Sequence, residues 1–256
     1  MKVGRYNGDA TWWCQLSGTQ VVFDPWLSGS EVDVAPWFNE AWHVAPVIPP
    51  ERVAADVVVV SQHYADHCHP ATLRVLPGQP EFVVVPQALK TVRRCRPGDA
   101  VHVLPPYPDS PLMVAGLRLW RLSRPWFRPP RYHVVVLADP DGRAAVHAPH
   151  GLSAREASLL ASDLDITLMA ISRDLFKLPF WLGGRVNPGN DAACQALAAT
   201  GAAKGMAIHD EDKRAQGLVS RLATVDRGPW PDDSGRWIDP AVGAPTEGCG
   251  FEFTGQ

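Results

Sequence analysis

Three strand-like apolar runs in this chain each give way to a histidine. Val57–Val60 leads into Ser61-Gln62-His63-Tyr64-Ala65-Asp66-His67-Cys68-His69, Ala144–Ala148 into Pro149-His150-Gly151, and Gly205–Ile208 into His209-Asp210-Glu211-Asp212. Runs of four or five residues have the length of buried strands rather than helices. In α/β proteins the loops at the carboxyl ends of strands assemble the site. The chain is therefore expected to bring separate strand ends together around imidazoles.

The surrounding pattern sets the architecture. Strands are predicted at Trp12–Leu16 and Thr19–Phe23, joined by a Ser17-Gly18 turn, then at Val57–Val60, 81–85, near 100–104, 112–121, 133–138 and 144–148. Residues 26–50 read as an irregular aromatic loop. Pro70 opens a short helix, and Gln87–Cys95 forms another. Ser153 with Glu156 three residues on is a capping box. From there helices and strands alternate: strand Ile166–Ile171, helix Asp191–Thr200, strand Gly205–Ile208, helix Asp212–Thr224. Many strands followed by strand–helix alternation imply two sheets with helices packed outside them. Residues 1–256 are read as one domain with an irregular tail, 225–256. The 25 prolines imply many fixed turns and few long helices, and ten tryptophans exceed what a core needs.

Composition excludes several function classes. With 24 Lys and Arg against 27 Asp and Glu, the formal charge is −3, and no Lys/Arg-rich segment offers a nucleic-acid face. No stretch nears the roughly 18 apolar residues that cross a bilayer, so no membrane partner is expected. Five widely spaced cysteines without C-x-x-C argue against a disulfide framework or a zinc ribbon. With no apolar leader after Met1, a reducing cytoplasm is the expected location. The oligomeric state is left open.

Imidazole and carboxylate together form the ligand set of zinc or iron. Three histidines within nine residues, one beside Asp66, make 61–69 the first candidate segment. Its apolar strand and Ser61…Asp66-His67 resemble the first metal motif of the metallo-β-lactamase-fold hydrolases, H-x-H-x-D-H. Val22-Phe23-Asp24-Pro25-Trp26-Leu27 resembles the upstream strand end. Gly142–Gly151, the Asn187-Pro188-Gly189 turn and the final unit ending in His209 continue the likeness over roughly residues 1–213, nearest the branch of L-ascorbate-6-phosphate lactonase. The resemblance implies an α/β (α+β) fold, a four-layer αββα sandwich. It also implies which positions hold metal. The two leading histidines are here Gln62 and Tyr64, and the third metal-one position, in the segment Ser123–Phe127, shows no clear histidine. Asp66, His67 and His209 remain, with His150 where a bridging Asp would stand. A neutral imidazole cannot bridge two cations, so one divalent ion per chain, Zn²⁺ or Fe²⁺, is expected on Asp66, His67, His150 and His209. His69 is an alternative ligand or a first-turn helix residue. Cys68 alternates away from both neighbouring histidines.

Further candidates surround this set. Asp66 either ligates or activates the water, and Tyr64 either donates to an oxyanion or packs. Arg173 and Lys177 follow the strand Ile166–Ile171 and either hold a substrate anion or form surface pairs. Trp26 and Trp37, with Phe38, Trp42, Trp126, Phe127, Phe180 and Trp181, are candidates for an aromatic pocket wall. The leading function is a metal-dependent hydrolase of a small, partly apolar molecule at an ester, lactone, thioester or amide bond. Two alternatives stand beside it: a mononuclear iron enzyme performing O₂-dependent oxidation, and a non-catalytic binding protein.

Overall fold

The computed structural model describes residues 1–123, 132–228, 235–245 and 250–253. Two seven-stranded sheets pack face to face. In the first, Lys2–Arg5, Trp12–Leu16 and Thr19–Phe23 form an antiparallel meander. Val57–Val60, Glu81–Val84 and Val101–Val103 then continue parallel to Thr19–Phe23, and Phe251–Glu252 closes the opposite edge. The second sheet begins with four parallel strands, Trp237–Ile238, Lys204–Ala207, Asp165–Ile171 and Arg143–Ala148. It ends antiparallel with His133–Ala138, Leu117–Ser123 and Leu112–Val114.

Each local choice has a visible cause. Val57–Val60 lies inside a parallel sheet covered on both faces, and all four valines are fully buried; such strands need a continuous apolar run. Ser17 and Gly18 both carry positive φ (49° and 87°), the tight hairpin turn that matches strand twist. Ser153 and Glu156 close the capping box: the Ser153 hydroxyl accepts from the Glu156 amide, and the Glu156 carboxylate from the Ser153 amide at 2.8 Å. One buried cluster unites Trp12, Phe23 and Val58 of the first sheet with Leu119, Leu137 and Met206 of the second, and takes Leu73 and Val92 from the helices Pro70–Val75 and Leu89–Cys95. Another joins Val136, Val146 and Met169 to the helices Ala154–Asp163 and Asn190–Thr200. The result is an αββα sandwich. Among the described residues no helix is long and apolar enough to cross a membrane.

Four segments differ from the sequence reading. Residues 112–121 form a hairpin, because Ala115 and Gly116 turn with positive φ. The aromatic stretch 26–50 contains a second hairpin, Ser30–Asp33 with Asn39–His43. The segment 212–224 is not one helix: Lys213–Gln216 is a strand paired with Asn39–His43, Leu218–Leu222 a short helix, and Thr224–Asp226 a strand paired with Leu175–Lys177. The tail supplies edge strands, Trp237–Ile238 and Phe251–Glu252, to both large sheets.

Candidate metal centre

The three predicted strand ends meet. The ring centroids of His67, His150 and His209 lie 5.1, 5.1 and 5.2 Å apart. A point equidistant from such a triangle is roughly 3 Å from each centroid, which is a metal–nitrogen bond of roughly 2 Å plus half a ring. The Nε2 atoms face inward: His67 Nε2 is 3.2 Å from His150 Nε2, and Asp66 Oδ2 stands 2.8 Å from His209 Nε2 and 3.6 Å from His67 Nε2. A tetrahedron with bonds of roughly 2 Å has edges of roughly 3.3 Å, near the three separations above; His150 stands 3.2 Å from His67 but outside the group that Asp66, His67 and His209 form. One ligand atom each from Asp66, His67 and His209 fall within 4.8 Å of one another.

The outer nitrogens are also held. His67 Nδ1 donates to Asp24 Oδ2 at 2.7 Å, the carboxylate–imidazole pair that orients a ligating histidine. The same oxygen accepts from His147 Nε2 at 2.7 Å and the Ser61 hydroxyl at 2.5 Å, while Oδ1 accepts from the Ser61 amide. His147 must donate from Nε2, because the Trp12 indole N–H, which can only donate, meets its Nδ1 at 3.0 Å. Asn187 joins the other two rings. Its Oδ1 can only accept, so His150 Nδ1 donates to it at 3.1 Å and His150 Nε2 keeps its lone pair, directed at His67 Nε2 3.2 Å away. Asn187 Nδ2 donates to His209 Nδ1 at 3.0 Å. His209 Nε2 therefore carries a proton to Asp66, which must leave before that nitrogen can ligate. Asp24 (φ 44°) and His209 (φ 61°) occupy the left-handed region that non-glycine residues rarely adopt.

Electrostatics follow from burial and partners. Burial works against a charged His67, but Asp66 and Asp24 outweigh it and lift its pKa to about 9. Burial pushes His150 well down, helped by the neighbouring His67 and His209. For Asp66, burial would raise the pKa, yet His67 and His209 hold it well below the ordinary carboxylate range. The same contest, won by His67 and His147, keeps Asp24 low. Glu31 goes the other way: burial and the charges of Asp66 and Asp33 push it up to about 9.

The cluster opens into a cavity of about 800 Å³. Asp66, His150, His209, Tyr64 and Tyr132 line one part, with Tyr132 4.1 Å from the His150 ring. Phe38, Phe176, Leu178, Leu182, Val219 and Val225 line an apolar part. The three-stranded sheet of Ser30–Asp33, Asn39–His43 and Lys213–Gln216 forms a further wall carrying Glu31, Asp33 and Lys213.

Other predicted residues lie elsewhere. His69 caps the helix Pro70–Val75; its Nδ1 meets Thr72 Oγ1 at 2.9 Å and its Nε2 the Ser30 carbonyl at 3.1 Å, so both nitrogens are engaged outside the cluster. Cys68 is buried in the core. Gln62 donates to the His133 carbonyl (2.7 Å) and accepts from its amide (3.1 Å), binding backbone where a metal-one histidine would stand. Trp26 is fully buried against His43 and under Lys213 Nζ, behind the wall rather than on it. Trp37, Phe180 and Trp181 are exposed, so the wall aromatics are Phe38, Tyr64, Tyr132 and Phe176 instead. Trp126 and Phe127 lie outside the described residues. Arg173 stacks on Trp237 and lines a separate cavity of about 280 Å³ with Arg5, Asp174 and Asp210, while Lys177 is exposed and lines neither cavity. Sequence reasoning gave no site role to Asp24, His147, Asn187, Glu31, Asp33 or Lys213. Glu31 and Asp33 at i, i+2 carried a signal, being one face of a strand.

The beta-lactamase superfamily domain model matches residues 5–171. The chain belongs to this superfamily. The match assigns no branch within it, and no curated protein matches the sequence. Among solved structures, this superfamily member is similar to the isothiocyanate hydrolase from Delia radicum gut bacteria, at 14% identity and a TM-score of 0.68 over 95% of this chain and 97% of that one. It is similar to a possible metal-dependent hydrolase from Veillonella parvula, at 14% identity and a TM-score of 0.59, covering 82% and 85%. It is also similar to CmlA, a diiron β-hydroxylase from Streptomyces venezuelae, at 15% identity and a TM-score of 0.58, covering 81% of this chain and 44% of that one.

Proposed function

We propose that this protein is a metal-dependent hydrolase of a small, partly apolar molecule, acting at an ester, lactone, thioester or amide bond. The observation that carries the reading is the convergence of the His67, His150 and His209 rings, with Asp66 beside them, on the wall of a half-apolar cavity. The proposed ligands of a single Zn²⁺ or Fe²⁺ ion are Asp66, His67, His150 and His209. When bound, such an ion lowers the pKa of a ligated water towards 7 and supplies the nucleophile. Asp24 holds His67 in its ligating orientation, and Asn187 does so for His150. Asp66 is placed to ligate or to take the water's proton. Tyr64, at the cavity wall, is placed to donate to a developing oxyanion. The apolar wall takes the body of the substrate and excludes water from it.

Elemental analysis of purified protein should give close to one metal per chain. His209→Ala should lose the metal and esterase or lactonase turnover. His43→Ala should lose neither, because His43 contacts Glu211 and the Trp26 carbonyl. Equal metal loss in both variants would sink the assignment. The same donor set supports one alternative, since three imidazoles and a carboxylate also suit Fe²⁺ and O₂ chemistry. Iron content together with substrate-dependent O₂ uptake would establish that reading in place of hydrolysis.

A further inference from the structure

The three-stranded sheet presents an acidic face to the cavity. Glu31 and Asp33 alternate onto one side of the strand Ser30–Asp33, with Asn39 opposite Asp33 and Ala41 opposite Glu31. Ala215, paired with Ala41, also lines the cavity, so small side chains leave room beside the carboxylates. Asn39 Nδ2 donates to Glu31 Oε1 at 3.0 Å and reaches Asp33 Oδ2 at 3.5 Å; Asp33 Oδ1 accepts from the Ala65 amide at 3.3 Å. Glu31 is 4% exposed, and its Oε2 is buried without a partner.

The other charged side chains lining the cavity have partners. Lys213 Nζ is 2.8 Å from Asp9, Arg227 holds Asp174 and Asp212, and Glu211 binds His43 at 2.6 Å. A divalent ion in the proposed centre would offset Asp66 and Asp24. Among the described residues Lys213, already bound to Asp9, is the cation whose charge reaches Glu31, while Asp66 and Asp33 oppose it; Glu31 and Asp33 face the cavity with no cation in contact, and buried carboxyl groups are ordinarily paired or fully hydrogen-bonded. A cation carried by the ligand would supply that contact. The cavity's apolar part, with Phe38, Phe176 and Val219, shows what else that ligand carries.

We infer that the substrate is an amphipathic amine, whose ammonium group binds Glu31 and Asp33 while its apolar body lies along Phe38, Phe176 and Val219. This deepens the hydrolase reading and rests on it: Glu31 and Asp33 set specificity, and the histidine cluster does the chemistry. An ammonium donates up to three hydrogen bonds, enough for Glu31 Oε2 and an Asp33 oxygen together. A carboxylate or phosphate ester meets repulsion at the same wall.

The test uses three matched probes, 4-phenylbutylamine, 4-phenylbutanol and 4-phenylbutyrate. Each is titrated calorimetrically at pH 7 into full-length protein of measured metal content. The amine should bind at least tenfold tighter than the alcohol, and the acid weakest. In Glu31→Gln/Asp33→Asn the amine should fall to the affinity of the alcohol, while alcohol affinity and metal content stay unchanged. Equal binding of amine and alcohol by the wild type overturns the inference. So does an amine preference that survives in the double variant, because the metal would then be the amine's partner. A second equivalent of metal that the double variant loses also overturns it, since the carboxylates would then hold a metal cation. Any of these results with one metal per chain and intact hydrolysis leaves the hydrolase reading standing; absence of metal defeats that reading instead.

Discussion

Asp24 Oδ2 accepts from three donors at once, His67, His147 and Ser61, and this one oxygen orients the central histidine, whose charged form Asp66 and Asp24 together favour. His67 has a folded pKa of about 9 against an ordinary 6.5. Its protonated form therefore stabilises the metal-free fold fully below about pH 6.5, and that contribution is lost as pH rises through about 9. Metal affinity runs oppositely, because the His67 proton must leave before Nε2 can ligate, so affinity rises over the same interval. Urea denaturation of chelator-treated protein at pH 6 and pH 9.5 should show a lower midpoint at the higher pH, and His67→Gln should remove most of that difference. A variant with the wild-type pH dependence would assign the effect to another group. His67, His150 and His209 sit in loops that follow strand-like runs, which is why sequence could expect them to meet, while Asp66 and His67 were singled out by the resemblance to the metallo-β-lactamase-fold motif. Asp24 was visible only as a strand end, since nothing local says which imidazole its carboxylate will face.

At the scale of elements, the wall built from Ser30–Asp33, Asn39–His43 and Lys213–Gln216 decides the shape and charge of the cavity. Leu218, Val219 and Leu222 have helical spacing, and residues 218–222 do form a short helix. Lys213–Gln216 instead pairs with Asn39–His43, and Arg214 stacks 4.6 Å from the Trp42 ring. Gly217 makes the break possible. Its φ is 102°, and a Cβ there would stand 2.7 Å from the Phe38 carbonyl oxygen. Gly18 also has positive φ (87°) but meets nothing within 4 Å. Gly217→Ala should therefore destabilise by about 1–3 kcal/mol and clearly more than Gly18→Ala, as read by thermal denaturation. Equal losses would show that the contact with Phe38 carries no cost. The hairpin at 30–43 was hidden because its pairing partner lies some 170 residues away, and a lone two-stranded ribbon has little stability of its own.

Over the whole molecule, a few polar links join layers that apolar packing alone would leave free to slide. Trp12 of the first sheet donates to His147 of the second at 3.0 Å. Gln62, at the end of Val57–Val60, binds both backbone groups of His133, the first residue of a strand in the opposite sheet. This accounts for glutamine at a position where the superfamily resemblance implies a ligand: the side chain now braces the sandwich beside the cluster. Gln62→Ala strands a buried amide and a buried carbonyl, so it should lower stability by about 1–3 kcal/mol while the metal content of the folded protein is kept. Loss of metal at unchanged stability would instead place Gln62 in the centre.

The periodicity of short apolar runs, the turn residues and the capping box act over a few neighbours, so the sandwich and the strand-end histidines were legible in the chain itself. Which histidines meet was decided by tertiary structure. His67, His150 and His209 converge because three strands carry their ends to one edge, whereas His69, two residues from His67, is consumed by Thr72 and the Ser30 carbonyl. The charge balance of the wall was likewise settled in space. Lys213 could have answered Glu31 or Asp33, but the fold places it on Asp9, because pairing of buried charges depends on distances that residue order does not encode.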